Sequence, residues 1–162
     1  MNKNFLLEIF NLNKKYFLKS NQYVEIINNL NFKLKSNNKV AITGPSGSGK
    51  TTFLNILGLL DRDFNGKFLF KDEDISNYSE SKLNQTRGLS IGFIHQFFHL
   101  IPELTVIENV MLPILINKKK LNAYNVAKNL LIEFQLKDRI NYKPLKLSGG
   151  EQQRVAIARS LV

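Results

Sequence analysis

A chain of 162 residues, 43% of them apolar, has room for one ordinary domain with a core and is too apolar for a disordered segment. The absence of cysteine excludes a disulfide framework and any cysteine-based zinc site, in keeping with a reducing compartment, and no apolar run approaches the roughly 20 residues that span a bilayer. A net charge of +10 fits a phosphate-rich partner or an anionic membrane face, but Lys and Asn are spread along the whole chain beside much Ile and Phe, as AT-biased coding also produces.

The N-terminal apolar run is broken by Glu8 and is too short and polar for an export signal, so none is expected. "FLLEIFNL" and "YVEIINNLNFKLK" read as strands, the second alternating through Leu30, Phe32 and Leu34, and together they predict an antiparallel hairpin or small sheet. "KVAIT" predicts a short apolar strand that runs into "GPSGSGK", after which "TTFLNILGLL" has helical length and spacing. "LLDRD" is expected to be the exit turn of that helix, "GKFLFKD" another strand, "SESKLNQTRG" a short polar helix and "IGFIH" a buried strand. From Thr105 the pattern turns helical. Thr105 and Glu108 have capping-box spacing ahead of "VIENVMLPILI", and Pro113 is expected to kink or end that helix. The basic run Lys118 to Lys120 is expected to be a solvated loop before a second amphipathic helix in "NAYNVAKNLLIEFQL". The whole reads as a mixed α/β core with helices inserted at about residues 97 to 147.

Chemistry first shows in Gly44 to Thr51, "GPSGSGKT", which fits the phosphate-binding pattern G-x-x-x-x-G-K-[ST]. Gly44, Gly47 and Gly49 let the backbone bend so that successive N–H groups point at a phosphate chain, and the following helix presents its positive end to the same anion. Pro45, Ser46, Ser48 and Thr52 complete the cradle, Lys50 reaches the β- and γ-phosphates, and Thr51 offers its hydroxyl to Mg²⁺. A strand before and a helix after are the context that distinguishes such a loop from an ordinary Gly/Ser-rich turn.

"LSGGEQQRVAIAR", from Leu147 to Arg159, resembles the signature motif of ATP-binding-cassette (ABC) ATPases, and "GPSGSGKTT" resembles their Walker A loop. Between them "IGFIHQ" resembles the family's Q-loop, with Gln96 in the glutamine's place. About fifty residues separate Lys50 from Gln96 and about another fifty separate Gln96 from Ser148, the family's spacing. The resemblance covers the entire chain and implies a P-loop α/β fold of ABC ATPase type, with a mixed sheet core and a helical subdomain. Its expected divisions are a β subdomain and P-loop core over 1–96, a helical subdomain over 97–147 and a signature helix over 148–162. It also implies ATP and Mg²⁺ as cofactors, catalytic roles for Lys50 and Gln96, and Gln96 beside Thr51 at the metal. Tyr16 stands where the family carries an adenine-stacking aromatic, with Tyr23 and Phe17 as rivals. Ser148, Gly149 and Gly150 open a helix and so form a second anion site. By the resemblance it caps the γ-phosphate held by a second copy paired head to tail.

"IGFIHQFFHLIPELTVIENVMLPILI" is similar to the lipoprotein-releasing ATPases of the Lol type, within a group that also serves macrolide exporters and the FtsE cell-division protein. The resemblance implies a peripheral subunit at the cytoplasmic face of a bacterial inner membrane, an ATP-hydrolysing translocase bound to permease subunits of the Lol C/E kind. Phe97, Phe98, Leu100, Ile101 and Leu104 are divided between core and a groove that receives the permease. Neither His95 nor His99 is expected to be catalytic, because the family's switch histidine lies beyond the signature. DNA-repair and chromosome-organising ATPases share the motifs but insert long coiled coils or zinc sites between them; no heptad run and no cysteine occurs here, so no nucleic-acid partner is expected.

The family's Walker B Asp, catalytic Glu and switch His follow the signature and have no counterpart in the 162 residues, so the cassette is expected to lack the C-terminal part of its core. A missing general base costs roughly 10² to 10⁴ in rate. A missing central strand leaves backbone groups and apolar surface uncovered. Two explanations remain open, a fragment or degraded gene product, or a second polypeptide that supplies the missing half; a truncated nucleotide-binding module without turnover is the functional alternative.

Overall fold

The computed structural model describes residues 5–18, 22–117 and 122–162, so the basic run Lys118 to Lys120 lies outside the described residues. The chain divides into two compact units, Met1–Asn84 and Gln85–Val162.

In the first unit, β1 (Leu7–Phe17) and β2 (Tyr23–Leu34) form the expected antiparallel pair. β3 (Asn65–Phe70) pairs antiparallel with the other edge of β1, and the short β4 (Glu73–Asp74) follows, giving the order β2-β1-β3-β4. Strand alternation sends Leu7, Ile9 and Leu12 of β1 and Phe68 and Phe70 of β3 into the core. The step from Ile9 to Leu12 is irregular, because Asn11 takes a positive φ of 52°. Beside it Gly66 has φ 116°, and a Cβ there would stand 2.6 Å from the Asn11 carbonyl oxygen, so β3 can approach the bulge only with glycine at this position.

The helix α1 (Lys50–Leu57) buries Phe53 and Ile56, with Phe53 edge-on to Phe32 of β2 at 5.5 Å between ring centroids. Leu59, φ 56°, turns the chain out of α1, and the Leu60 and Asp61 N–H groups donate to the Asn55 carbonyl, so "LLDRD" is the exit turn its sequence indicates. The polar helix α2 (Glu80–Ser90) begins in this unit.

Two predicted strands are not strands. Residues 39–43 and 91–95 are without regular structure, neither joins a ladder among the described residues, and Val40 and Ile94 are 54% and 47% exposed. An apolar run becomes a parallel strand only through slanted bonds to neighbours, and parallel strands are covered on both faces. Composition supplied the apolar run but not the neighbour. The observed sheet is accordingly antiparallel throughout, where a mixed one was expected.

The second unit is a helical cluster. α3 (Val106–Ile116), α4 (Ala123–Glu133) and α5 (Gly149–Leu161) enclose Val106, Ile107, Val110, Ala127, Leu131, Leu136, Val155 and Ala158. Pro113 does not end α3, which runs three residues further to Ile116; the Asn117 side-chain amide then donates to the Pro113 carbonyl at 2.8 Å and the Gly88 carbonyl at 2.9 Å. No helix among the described residues is long and apolar enough to cross a membrane.

Asn109 is fully buried at the heart of this unit. Its Nδ2 donates to the carbonyls of Ile101 (3.0 Å), Leu104 (3.3 Å) and Thr105 (3.0 Å), and its Oδ1 accepts from the Ile101 N–H at 2.8 Å. Replacing it with Leu leaves a buried amide and its carbonyl partners unpaired. A loss of about 2–4 kcal/mol in unfolding free energy is expected, measured by urea denaturation.

The N-termini of α3 and α5 both carry complete capping boxes. The Thr105 hydroxyl accepts from the Glu108 N–H at 3.4 Å while the Glu108 carboxylate accepts from the Thr105 N–H at 2.7 Å; Ser148 and Glu151 repeat the arrangement at 3.3 and 2.8 Å. Hydrogen bonds from Thr105 hold Glu108 below the ordinary glutamate value of 4.5, and hydrogen bonds from Ser148, then Arg139, do the same for Glu151. Carboxyls with depressed pKa stabilise fully above their unfolded-state value and lose that contribution as pH falls through the folded value. The helical unit is therefore expected to lose stability below about pH 4.5, and Glu108→Gln with Glu151→Gln should flatten that slope in melts recorded against pH.

Candidate functional site

The loop from Gly44 to Gly49 turns on three glycines of positive φ, 149°, 78° and 84° at Gly44, Gly47 and Gly49. At Gly49, which caps α1, the freedom is required twice over: the backbone is left-handed, and a Cβ would stand 3.0 Å from Ile26 Cγ2 and 3.1 Å from the Ile26 carbonyl oxygen. The loop thus lies directly against β2. Phe53 donates the first intrahelical bond, to the Gly49 carbonyl at 2.8 Å, so the N–H groups of Lys50, Thr51 and Thr52 have no acceptor within the helix. They point out of the positive end of α1.

Lys50 folds back over the loop. Its ammonium donates to the Gly44 carbonyl at 3.0 Å, the Pro45 carbonyl at 2.6 Å and Ser48 Oγ at 3.4 Å. These are neutral oxygens, so the cation is placed at the mouth of the loop without a carboxylate among the described residues to neutralise it. A cavity of about 350 Å³ opens here, lined by Ser46, Gly47, Gly49, Lys50, Thr51 and Thr52 together with Ile26. Backbone donors, an unneutralised ammonium and a threonine hydroxyl in one concavity suit a phosphate chain with a hard cation. Among the described residues no cluster of three His, Cys, Asp or Glu side chains offers a separate metal site.

Tyr16 lies on β1 opposite Val24, and Ile26, two residues further along β2, lines the phosphate-sized cavity. The rivals have other ring partners. Phe17 and Tyr23 pair with each other at 6.4 Å, and Lys15 lies over the Tyr23 ring at 4.3 Å, whereas Tyr16 has Lys14 over its ring at 4.7 Å.

The remaining sequence-derived site residues belong to the second unit. Ser148 caps α5, and the first intrahelical bond runs from the Gln152 N–H to the Ser148 carbonyl at 2.9 Å. Ser148 Oγ takes the Glu151 N–H, which leaves the Gly149 and Gly150 N–H groups facing outward. A Cβ on Gly149 would meet nothing within 4 Å, and one on Gly150 only the tip of Arg154 at 3.9 Å. Glycine costs a helix about 0.5–1 kcal/mol relative to alanine, and nothing within this unit requires it at these two places.

Gln96 is exposed in the turn at 96–97. Of the five apolar residues that follow it, Phe97 (79%) and Ile101 (39%) are exposed, while Phe98, Leu100 and Leu104 are half-buried and Leu100 packs on the helical core. The segment is held from α5. Arg159 donates to the Phe98 carbonyl at 2.6 Å and the His99 carbonyl at 2.7 Å, fixing both residues at φ near 50°. Burial, then the charges of His99 and Arg159, pull the His95 pKa below its ordinary value, and its ring rests between Phe93 at 4.5 Å and His99 at 4.7 Å. Arg159 and Asn109 thus shape the segment from Phe98 to Thr105, although neither stands out in the sequence.

The sequence model of the ABC transporter family matches residues 27–162. The lipoprotein-releasing system ATP-binding protein LolD of Syntrophus aciditrophicus is 45% identical over 97% of this chain and 70% of its own length. The uncharacterized ABC transporter ATP-binding protein YvrO of Bacillus subtilis is also 45% identical, over 97% of this chain and 69% of its own. Among solved structures, a dimeric post-hydrolysis state of the ATP-binding cassette MJ0796, bound to ADP and Pi, superposes with a TM-score of 0.88 at 37% identity, over 96% of this chain and 68% of that one. The fold is that of an ABC ATPase cassette, and the chain belongs to the ABC transporter family.

Proposed function

We propose that this chain is the ATP-binding, energy-coupling subunit of a transporter that releases lipoproteins from the inner membrane toward the outer membrane. The observation that carries the nucleotide part is the loop from Gly44 to Thr52, where free backbone donors and the Lys50 ammonium converge on one cavity. LolD-named relatives at 41–45% identity over most of the chain support the cargo class.

In this reading Gly44 to Thr52 hold the triphosphate of ATP, Lys50 pairs with its β- and γ-phosphates, and Tyr16 stacks on the base. Mg²⁺, when bound at the Thr51 hydroxyl with Gln96 as a further ligand, offsets phosphate charge during phosphoryl transfer. Lys50 and Gln96 are the catalytic residues. Ser148, Gly149 and Gly150 cap the γ-phosphate bound by a second, head-to-tail copy, with two outward N–H groups at the positive end of α5 as donors. The division into 1–96, 97–147 and 148–162 follows the same reading. So does a peripheral place at the cytoplasmic face of the inner membrane, beside a Lol C/E-like permease docked on Phe97 and Ile101.

YvrO, an uncharacterized ABC transporter ATP-binding protein, is as similar as the first LolD, so a second reading within the same group stands beside the first, a macrolide-export or FtsE-type partner. Co-purification from detergent-solubilised membranes with tagged permeases of each kind separates the two. Retention by the Lol C/E permease, abolished by Phe97→Asp, is the expected result. Retention only by a macrolide-exporter permease or the FtsE partner would overturn the lipoprotein assignment.

A further inference from the structure

Lys14 is the most deeply buried charge among the described residues, 2% exposed in the middle of β1, and the phosphate loop makes no use of it. Its ammonium meets Asp61 at 3.0 Å and the Asp63 carboxylate at 3.1 Å, and also donates to the Asp63 carbonyl. Burial pulls the Lys14 pKa down, but the hydrogen bonds it donates to Asp61 and Asp63, with their negative charges, outweigh it and hold the group above the ordinary lysine value. A charge kept at such cost of desolvation is expected to fix a geometry.

What it fixes is visible at both ends. Asp61 and Asp63 belong to the exit turn of α1, whose opposite end is the phosphate loop. The same ammonium lies 4.7 Å from the centre of the Tyr16 ring, and the Tyr16 hydroxyl reaches Asp61 Oδ2 at 3.4 Å. Tyr16 is 43% exposed, so the ring is held from below and at its rim while much of it stays open. From Val24, opposite Tyr16, to Ile26 at the cavity is about 7 Å of strand, a span that a ribose bridges.

We propose that Lys14 and Asp61 are positioning residues for the base: they tie the Tyr16 ring to the far end of the phosphate-loop helix, so that base platform and phosphate cradle are preorganised at one nucleotide's length. This rests on the reading of Tyr16 as the base-stacking residue. Preorganisation raises affinity by removing the ordering cost of the ring, and it acts only on ligands that carry a base.

The test compares ATP with inorganic tripolyphosphate, which fills the cradle without touching Tyr16, by calorimetric titration of the 162-residue chain. Tyr16→Ala should lower ATP affinity by about 5- to 140-fold and leave tripolyphosphate unchanged. Asp61→Asn should lower ATP affinity about 3- to 10-fold, again with tripolyphosphate unchanged. A paired Lys14→Met and Asp61→Leu replacement, which removes the buried charges together, should do the same while remaining folded. Tripolyphosphate binding reports an intact loop in every variant. Equal loss of both ligands, or no loss of ATP affinity in either network variant, overturns the proposal. An ATP affinity untouched by Tyr16→Ala overturns the base-stacking reading itself, and failure of the unaltered chain to bind tripolyphosphate overturns the cradle.

Discussion

Replacing Lys50 with alanine should lower the affinity for ATP by about 100-fold or more, enough to abolish binding at ordinary concentrations. Truncating one partner of a well-formed charge pair costs about 2–5 kcal/mol, and each 1.4 kcal/mol is a factor of ten. Two structural facts place Lys50 at that level. Its ammonium already lies at the mouth of the loop, on the Gly44 and Pro45 carbonyls and Ser48 Oγ, so little ordering remains to be done. Those partners are neutral, so no carboxylate has to be displaced by an incoming phosphate. The side chain is half-buried beside an exposed loop, and its removal opens no core cavity. Thermal stability without nucleotide should therefore stay close to that of the parent chain, and calorimetric titration of both proteins checks the loss.

Gly149→Asp should likewise keep an intact fold and lose an interaction, here the association of two copies. The position lies at the first turn of α5, a Cβ there meets nothing within 4 Å, and a carboxylate at a helix N-terminus is favourable by about 0.3–1 kcal/mol. The new side chain nevertheless fills the anion site with its own negative charge. In the proposed head-to-tail pair this carboxylate would face the γ-phosphate on the partner, and ATP-dependent association should fall by about 100-fold or more, since like charges brought together at an interface cost several kcal/mol. Sedimentation velocity with and without Mg·ATP, alongside a melting curve, reads both halves of this expectation. Unchanged ATP-dependent association would remove the signature from the nucleotide interface.

Much of this was legible in the sequence, because local rules govern the elements concerned. The capping box at Thr105, the helix start at Ser148, the glycine loop at Gly44 to Gly49 and the alternation of Leu30, Phe32 and Leu34 each need only a few neighbouring residues to decide them. The strands expected at 39–43 and 91–95 fail for the reason that parallel strands in general are hard to read: their existence depends on a distant partner.

Two positioning side chains were missed on similar grounds, and a third was legible but not read. Asn109 and Arg159 act by bonding carbonyls of the segment from Phe98 to Thr105, 8 and about 60 residues away, and nothing in their immediate sequence announces it. Lys14 was within reach. The inward phase of β1 runs through Leu12 to residue 14, so a lysine there contradicts the apolar pattern and calls for an anionic partner. Asp61 and Asp63 supply it.

The most direct test of the central claim is a calorimetric titration of Mg·ATP into the folded 162-residue chain. The expected result is saturable binding at one site per chain, competed by tripolyphosphate and lost in Lys50→Ala. A folded chain that shows no saturable binding, or binds Mg·ATP equally well with alanine at position 50, would contradict the assignment of the loop as a nucleotide site.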